Sequence, residues 1–304
     1  MLLAGSQNAW LRDRAMHYPF VRRSVSRFMP GETVEAALDA ARGLQQRGAG
    51  AVLTHLGENI SEAAEAEAVT AHYLDLLRRV QAEHLDTQIS VKPTQLGLDL
   101  DLETCFRHLT TLVDCASGAG NFVWIDMEST PYVDLTLELF RRARAASPNV
   151  GVCLQAYLRR TAVDLESLLP LGPAIRLVKG AYKEPPSRAF ADKKEVDENY
   201  FDLASRLLDD DAQRAGAIVA IGTHDSRLIE RVRRQIAARA ISRSGYEFEM
   251  LYGIQPRLQA QLLEKHEPLR VLISYGEFWF PWYMRRLAER PANVWFVVRN
   301  MWRG

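Results

Sequence analysis

Eight short apolar runs recur along the chain, at residues 51–56, 88–94, 122–128, 150–157, 174–181, 217–223, 246–252 and 269–275. Each is followed by a segment with apolar residues at helical spacing, at 61–84, 102–116, 133–146, 161–169, 195–214, 225–240, 256–265 and roughly 279–289. Such runs suit strands buried on both faces, and the segments between them suit helices that cover one face. Eight strand–helix units within 304 residues predict an α/β chain closed into a (β/α)8 barrel. A doubly wound sheet would alternate too, but its Gly-x-Gly-x-x-Gly turn is missing everywhere. Ahead of the first run, residues 32–47 place Val34, Ala37, Leu38, Ala41 and Leu44 on one helical face, and Gly48 stops the pattern. No linker, repeat or composition break divides the chain. Residues 1–304 therefore read as a single barrel domain, with residues 1–50 as an N-terminal helical appendage.

Basic and acidic residues number 38 each, and no basic run is interleaved with aromatics, so no nucleic-acid partner is expected. Cys105, Cys115 and Cys153 are an odd count without metal-ligand spacing, and each reads as a small core residue. The seven histidines form no HExxH or paired arrangement, so no metal is expected. The first thirty residues lack an apolar core with a cleavage site, and no segment approaches the ~18 apolar residues that span a bilayer. The expected setting is cytoplasmic. The apolar, aromatic stretch 294–302 is expected on the barrel exterior, with a peripheral contact at the inner face of a membrane as the minority reading.

In a barrel, polar residues at the C-terminal strand ends are the functional candidates. The first run ends in Thr54 and His55 before the loop Leu56-Gly57-Glu58, and the second in Lys92 before Pro93-Thr94. The third gives Asp126-Met127-Glu128 and the fourth Gln155. The fifth carries Arg176 and Lys179-Gly180-Ala181, the sixth Thr223-His224-Asp225, and the eighth Tyr275-Gly276. Taken singly, several have plain structural readings: Asp225 as a helix N-cap, Gln155 satisfying a barrel-end amide, His224 as a core histidine. Arg176 and Lys179 fall on opposite faces of an extended strand, and an edge strand with two solvated charges competes with a functional reading. Unpaired buried charge is costly, however, and Gly180 lets a ligand approach the backbone closely. Together the cluster is too cationic for a metal cage. It suits an anionic ligand beside a planar polar cofactor.

A second dense stretch, residues 277–289, reads Glu-Phe-Trp-Phe-Pro-Trp-Tyr-Met-Arg-Arg-Leu-Ala-Glu. Arg285 and Arg286 do not share a helix face, yet their stems could converge on one carboxylate, each offering a planar fork. Phe278, Trp279, Trp282 and Tyr283 could wall a pocket there, or belong to the core.

From about Phe28 to Arg299 the chain resembles the proline dehydrogenase family, monofunctional bacterial type. The resemblance rests on Leu56-Gly57-Glu58, Val91-Lys92, Ile125-Asp126-Met127-Glu128, Arg176-Leu-Val-Lys-Gly-Ala-Tyr182, Thr223-His224-Asp225, Met250-Leu-Tyr-Gly253 and Arg285-Arg286. It implies a distorted (β/α)8 TIM barrel that binds FAD non-covalently and oxidises L-proline, or a close cyclic amino acid, to 1-pyrroline-5-carboxylate. By resemblance Lys92, Arg285 and Arg286 hold the substrate carboxylate, and Asp126 and Arg176 form the catalytic pair, with Arg176 close to flavin N5. Met127, Gln155, Lys179, Gly180, Ala181, Thr223 and His224 would contact FAD. A Glu58–Arg285 ion pair would gate the site, and a quinone would accept the electrons. Whether Asp126 orients Lys92 or acts as a base stays open.

The chemistry agrees with that division. Hydride transfer needs the carbon beside the ring nitrogen held ~3–3.5 Å from N5, which a cationic clamp on the carboxylate provides. A cation near the flavin stabilises the reduced, more negative ring. The sequence departs from the family at Leu272 and Trp282, where tyrosines are usual, and at Pro93, where an apolar residue such as leucine is usual. Leu272 and Trp282 would reshape the substrate pocket, so 4-hydroxyproline or pipecolate is a competing substrate. Two further readings compete: a barrel lyase or aldolase using Lys92 or Lys179 as a Schiff-base amine, and a non-catalytic flavin- or proline-binding module.

Overall fold

The computed structural model describes residues 27–57 and 60–279. Eight parallel strands close a barrel in sequence order, each paired with the next and the last with the first. They are β1 (Gly50–His55), β2 (Thr87–Val91), β3 (Val123–Ile125), β4 (Val150–Gln155), β5 (Ala174–Val178), β6 (Ile218–Gly222), β7 (Tyr246–Leu251) and β8 (Leu269–Tyr275). The seam β1–β8 pairs six residues, from Gly50 with Arg270 to His55 with Tyr275. At β3 only three residues pair with each neighbour, so the wall is shortest there.

The helices are α1 (Val34–Gln45), α2 (Ala63–Ala82), α3 (Leu102–Gly118), α4 (Val133–Ala146), α5 (Thr161–Leu168), α6 (Lys193–Leu207), α7 (Asp210–Arg214), α8 (Ser226–Ala238) and α9 (Pro256–Glu264). The expected helix at 32–47 is α1, capped by the Thr33 hydroxyl on the Ala36 N–H, and it buries the five-residue face read from the sequence except Val34, which is partly buried. It lies against β1 and β8, so it forms part of the barrel's helical wall. Residues 195–214, read as one helix, are two: α6 ends at Leu207 and the Asp209 carbonyl starts α7.

Two kinds of core result. Outward-facing strand residues such as Leu53, Ile89, Val152, Leu177 and Phe248 pack under the helices. Inside the barrel lies a small apolar floor of Val52, Trp124, Ala174 and Ala220, joined by Leu272. Gly151 makes room for the Trp124 ring, since a Cβ there would stand 2.5 Å from Cζ3. Phe122 and Ile218 also border this floor, and the candidate site is built from the polar residues of the interior.

Candidate active site

Several strands are shorter than their apolar runs, and the candidate side chains sit where the runs leave the sheet. β2 stops at Val91, because Pro93 opens a 3-10 turn and leaves Lys92 at its cap. β3 stops at Ile125, placing Asp126 just beyond it. β5 stops at Val178, so Lys179 is past the strand and the opposite-face relation to Arg176 does not apply.

Arg176 points into the barrel and is 3% exposed. Its Nε donates to Glu249 Oε2 at 2.6 Å and its Nη2 to Oε1 at 3.3 Å. Nη1 donates to Ser90 Oγ at 2.7 Å and to Asp126 Oδ1 at 3.0 Å. Ser90 donates onward to the same Asp126 oxygen at 2.8 Å. The guanidinium carbon lies 4.6 Å from the centroid of the Trp124 ring. Burial works against the charge, but Glu249 and then Asp126 more than offset it, so Arg176 holds its proton more tightly than an ordinary arginine. A guanidinium has five N–H groups. Four are committed, and the second Nη2 N–H has no acceptor among the described residues.

Around this centre the other candidates divide. Lys92, partly buried, donates to the Gly57 carbonyl at 3.3 Å and so ties the β2 end to the loop after β1. Gln95 braces the same loop through the His55 carbonyl at 2.9 Å. Glu128 is buried and accepts from the Thr94 N–H and hydroxyl, while its own carbonyl accepts from Gln155 Nε2 at 2.8 Å. Met127 is buried beside it. Gln155 and Glu128 thus hold the ends of β2, β3 and β4 in register at the rim.

On the opposite side Lys179 Nζ is held by Asp197 at 2.5 Å and Asp225 at 2.8 Å. Asp225 also caps α8 through the Arg227 and Leu228 N–H groups, as its position suggested. Its carboxyl stays below the ordinary range: burial opposes this, and Lys179 and the two amides outweigh burial. Thr223 is buried, and His224 Nε2 accepts the Leu251 N–H at 2.8 Å. Gly180 has φ +118°, and a Cβ on it would stand 2.1 Å from the Tyr157 ring. Its neighbour Ala181 is exposed. Leu272 faces the barrel interior against the Trp124 cluster.

At the end of β1, His55 sits 4.5 Å from the ring of His72, whose Nε2 shares a 2.7 Å hydrogen bond with the Tyr275 hydroxyl. Burial, then His72 and Lys92, lowers the His55 pKa to about 4, so this ring is neutral beside the lysine. Glu58, Arg285 and Arg286, the expected gate and most of the expected carboxylate clamp, and the pocket residue Trp282 lie outside the described residues, as do the segments 280–289 and 294–302.

Sequence reasoning missed Ser90, Trp124, Glu247 and Glu249. The last two carried a signal: in the run Tyr-Glu-Phe-Glu-Met-Leu the glutamates alternate with apolar residues, so both point to one side of β7. With Phe248 and Met250 under the helices, that side is the interior.

Residue by residue, the donors fit a flavin: a buried guanidinium with one N–H to give, a glycine at positive φ, and amide and hydroxyl groups of Gln155 and Thr223 at one rim. Comparison with known proteins identifies the family. The family model for proline dehydrogenase matches residues 37–299. The chain is 36% identical over 296 residues to proline dehydrogenase 1 of Bacillus subtilis subsp. natto, covering 97% of this chain and 96% of that one. It is 37% identical over 283 residues to proline dehydrogenase of Deinococcus radiodurans, covering 91% and 90%. Among solved structures, proline utilization A from Bdellovibrio bacteriovorus, inactivated by N-propargylglycine, superposes with a TM-score of 0.81 at 23% identity. That match covers 88% of this chain and 33% of the other, so the chain spans about a third of the longer protein, and the likeness concerns the fold. Model match and near full-length identity give one answer: the chain belongs to the proline dehydrogenase family.

Proposed function

We propose that the chain oxidises L-proline, or a close cyclic amino acid, to 1-pyrroline-5-carboxylate, with FAD held non-covalently at the C-terminal rim of the barrel. The observation that carries this is Arg176, buried among Glu249, Asp126 and Ser90 with one N–H left to donate. Bound FAD would supply the two-electron acceptor, its N5 taking the hydride. Arg176 offers that ring a fixed positive charge, which favours the reduced form. Gln155, Lys179, Gly180, Thr223 and His224, with Met127 and Ala181, line the rim where the cofactor would lie. Lys92, with Arg285 and Arg286, would grip the substrate carboxylate and so aim the carbon beside the ring nitrogen. Asp126, tied to Arg176, would orient Lys92 and offset the local charge, or take the proton of the substrate amine.

A quinone as final acceptor, met by peripheral contact at the inner face of a membrane, completes the reading. No described helix is long and apolar enough to cross a membrane. Leu272 favours a second substrate reading, since an apolar side chain stands in the barrel interior where the family usually has a phenol. A Schiff-base lyase is disfavoured because Lys179 is committed to two carboxylates and Lys92 to the Gly57 carbonyl. The test is anaerobic mixing of the flavin-loaded protein with proline, 4-hydroxyproline and pipecolate. Bleaching of the flavin band by proline supports the reading. Bound flavin that none of the three bleaches refutes it.

A further inference from the structure

The barrel interior below Arg176 holds a line of charge that the proposed reaction has not yet used. Glu249, 4% exposed, takes the guanidinium side-on through Nε and Nη2, leaving Nη1 to Asp126 and Ser90. Two residues earlier on the same face of β7, Glu247 lies close enough to Glu249 for the two carboxyls to interact. Glu247 accepts in turn from Arg270 Nε at 3.0 Å, and Arg270 Nη1 reaches Asp86 at 2.7 Å, just ahead of β2. On the adjoining strand β6 the residues level with the two glutamates are Ala220 and Gly222, small enough to leave them room. The line therefore runs from the N-terminal mouth of the barrel to the rim: Asp86, Arg270, Glu247, Glu249, Arg176, Asp126.

We propose that Glu249 is the positioning residue of this site, fixing the plane of the Arg176 guanidinium and limiting its field at the rim, with Glu247 and Arg270 as its anchor. This rests on the role given to Arg176 above. The side-on fork occupies two N–H groups of known direction, so a planar guanidinium held there has no freedom to turn its remaining N–H away. The geometry also sets the charge behind Arg176. Four carboxylates share two guanidiniums along the line, and two of them, Glu247 and Glu249, lie in the interior, where full ionisation is solvated poorly. Burial pushes the Glu247 carboxyl up to about 7, against the pull of Arg270 and with the help of Glu249, so the line carries less negative charge near neutral pH than full ionisation would give. The other groups facing the pair are Asp126 just past β3, Cys153 on β4, Arg176 on β5, Tyr200 on α6 and Asp86.

The test compares full-length wild type with Glu249→Gln, both loaded with FAD, by midpoint potential and by kinetics with proline across neutral pH. Gln keeps the size and one acceptor but removes the anion beside Arg176. The reduced-to-oxidised ratio at a fixed applied potential is expected to rise about tenfold, equivalent to about 30 mV for a two-electron couple. The turnover number should fall more than the Michaelis constant rises. A glutamate that merely packs would lower the denaturation midpoint and leave the flavin potential at its wild-type value, and that result overturns the proposal. Should Glu249→Gln not fold, Glu247→Gln reads the same line one step lower. It should make the flavin potential less dependent on pH above neutrality than in wild type, and an identical dependence overturns the proposal. Wild type that binds FAD but is not bleached by proline overturns the activity, and the potential measurement still judges Glu249. Wild type that takes up no FAD overturns both.

Discussion

The interior carboxyl pair makes folding itself sensitive to pH, and the size of the effect follows from the site. Glu247 has an ordinary pKa of 4.5 in the unfolded chain and about 7 in the barrel, raised by burial first, with Arg270 opposing and Glu249 adding. Because the folded state keeps the proton longer, Glu247 costs nothing below pH 4.5, and stability falls as pH rises from there to about 7. At 1.36 kcal/mol per pH unit, the full penalty above that window is at most about 3 kcal/mol. Glu247→Gln mimics the protonated form at every pH and keeps the volume. Relative to wild type, the variant should be nearly neutral at acidic pH and gain up to about 3 kcal/mol as pH passes neutrality. Urea unfolding of both proteins over that range measures the difference, in which His55 and every other shared titration cancel. His55 acts in the opposite sense in both, since its lowered pKa makes stability fall as pH drops below the ordinary histidine range. A gap between variant and wild type that does not change with pH, or that changes with the reverse sign, refutes the account of the pair.

Three other outcomes are expected. Arg176→Lys keeps a charge but cannot fork Glu249 and reach Asp126 together, so turnover should fall by 10²-fold or more on the order expected for a lost electrostatic donor, with flavin still bound; near-normal turnover contradicts the role. Gly180→Ala forces a Cβ to within 2.1 Å of the Tyr157 ring at a φ that L residues avoid, which should cost about 1–3 kcal/mol in urea unfolding and weaken FAD binding. No change in either measurement would show that the turn is not constrained. Leu272→Tyr should move the specificity ratio between proline and pipecolate toward proline by a graded factor, since apolar pockets discriminate by only about 1–3 kcal/mol per methylene. A parent protein that already prefers proline by several orders of magnitude defeats that reading.

The barrel was legible because its signal is repeated eight times and each run is bounded by turn residues. The run 269–275 coincides with β8, and the strand ends elsewhere fall within a few residues. Where the reading overshot, local chemistry ended the strand: Pro93 turned the chain after Lys92, and Asp126 left the sheet to meet Arg176. Strand-end polarity marked Lys92, Asp126, Gln155, Thr223 and His224, because polar residues at the end of an apolar run are conspicuous, and Arg176 stood out as a cation leading to Lys179-Gly180. Glu247 and Glu249 escaped because they lie inside their run, and alternation does not say which face of a strand is inward. Their partners are far away in sequence, 73 residues in the case of Arg176 and Glu249, and pairing at that distance is decided by barrel closure alone. The division between structural and functional readings was also hard to draw from residues. Asp225 caps α8, as its position suggests, and also holds Lys179, a contact that no local pattern shows.

The charged interior has a consequence for how the chain finds its fold. A two-residue slip of β7 against β6 and β8 preserves the alternation, so Phe248 and Met250 would still meet the helices and hydrophobic burial would hardly object. A slip toward the N-terminal mouth would, however, bring Leu251 to the level of Glu249 and leave Arg176 without its fork, a slip the other way would take Glu247 from Arg270, and an orphaned buried charge of this kind costs about 3–5 kcal/mol. In a sheet of eight parallel strands with no hairpins to set their offsets, Glu247 and Glu249 therefore serve as keys cut to one lock. The same contacts that aim a guanidinium at the rim reject the misaligned barrels that oil-like packing alone would tolerate.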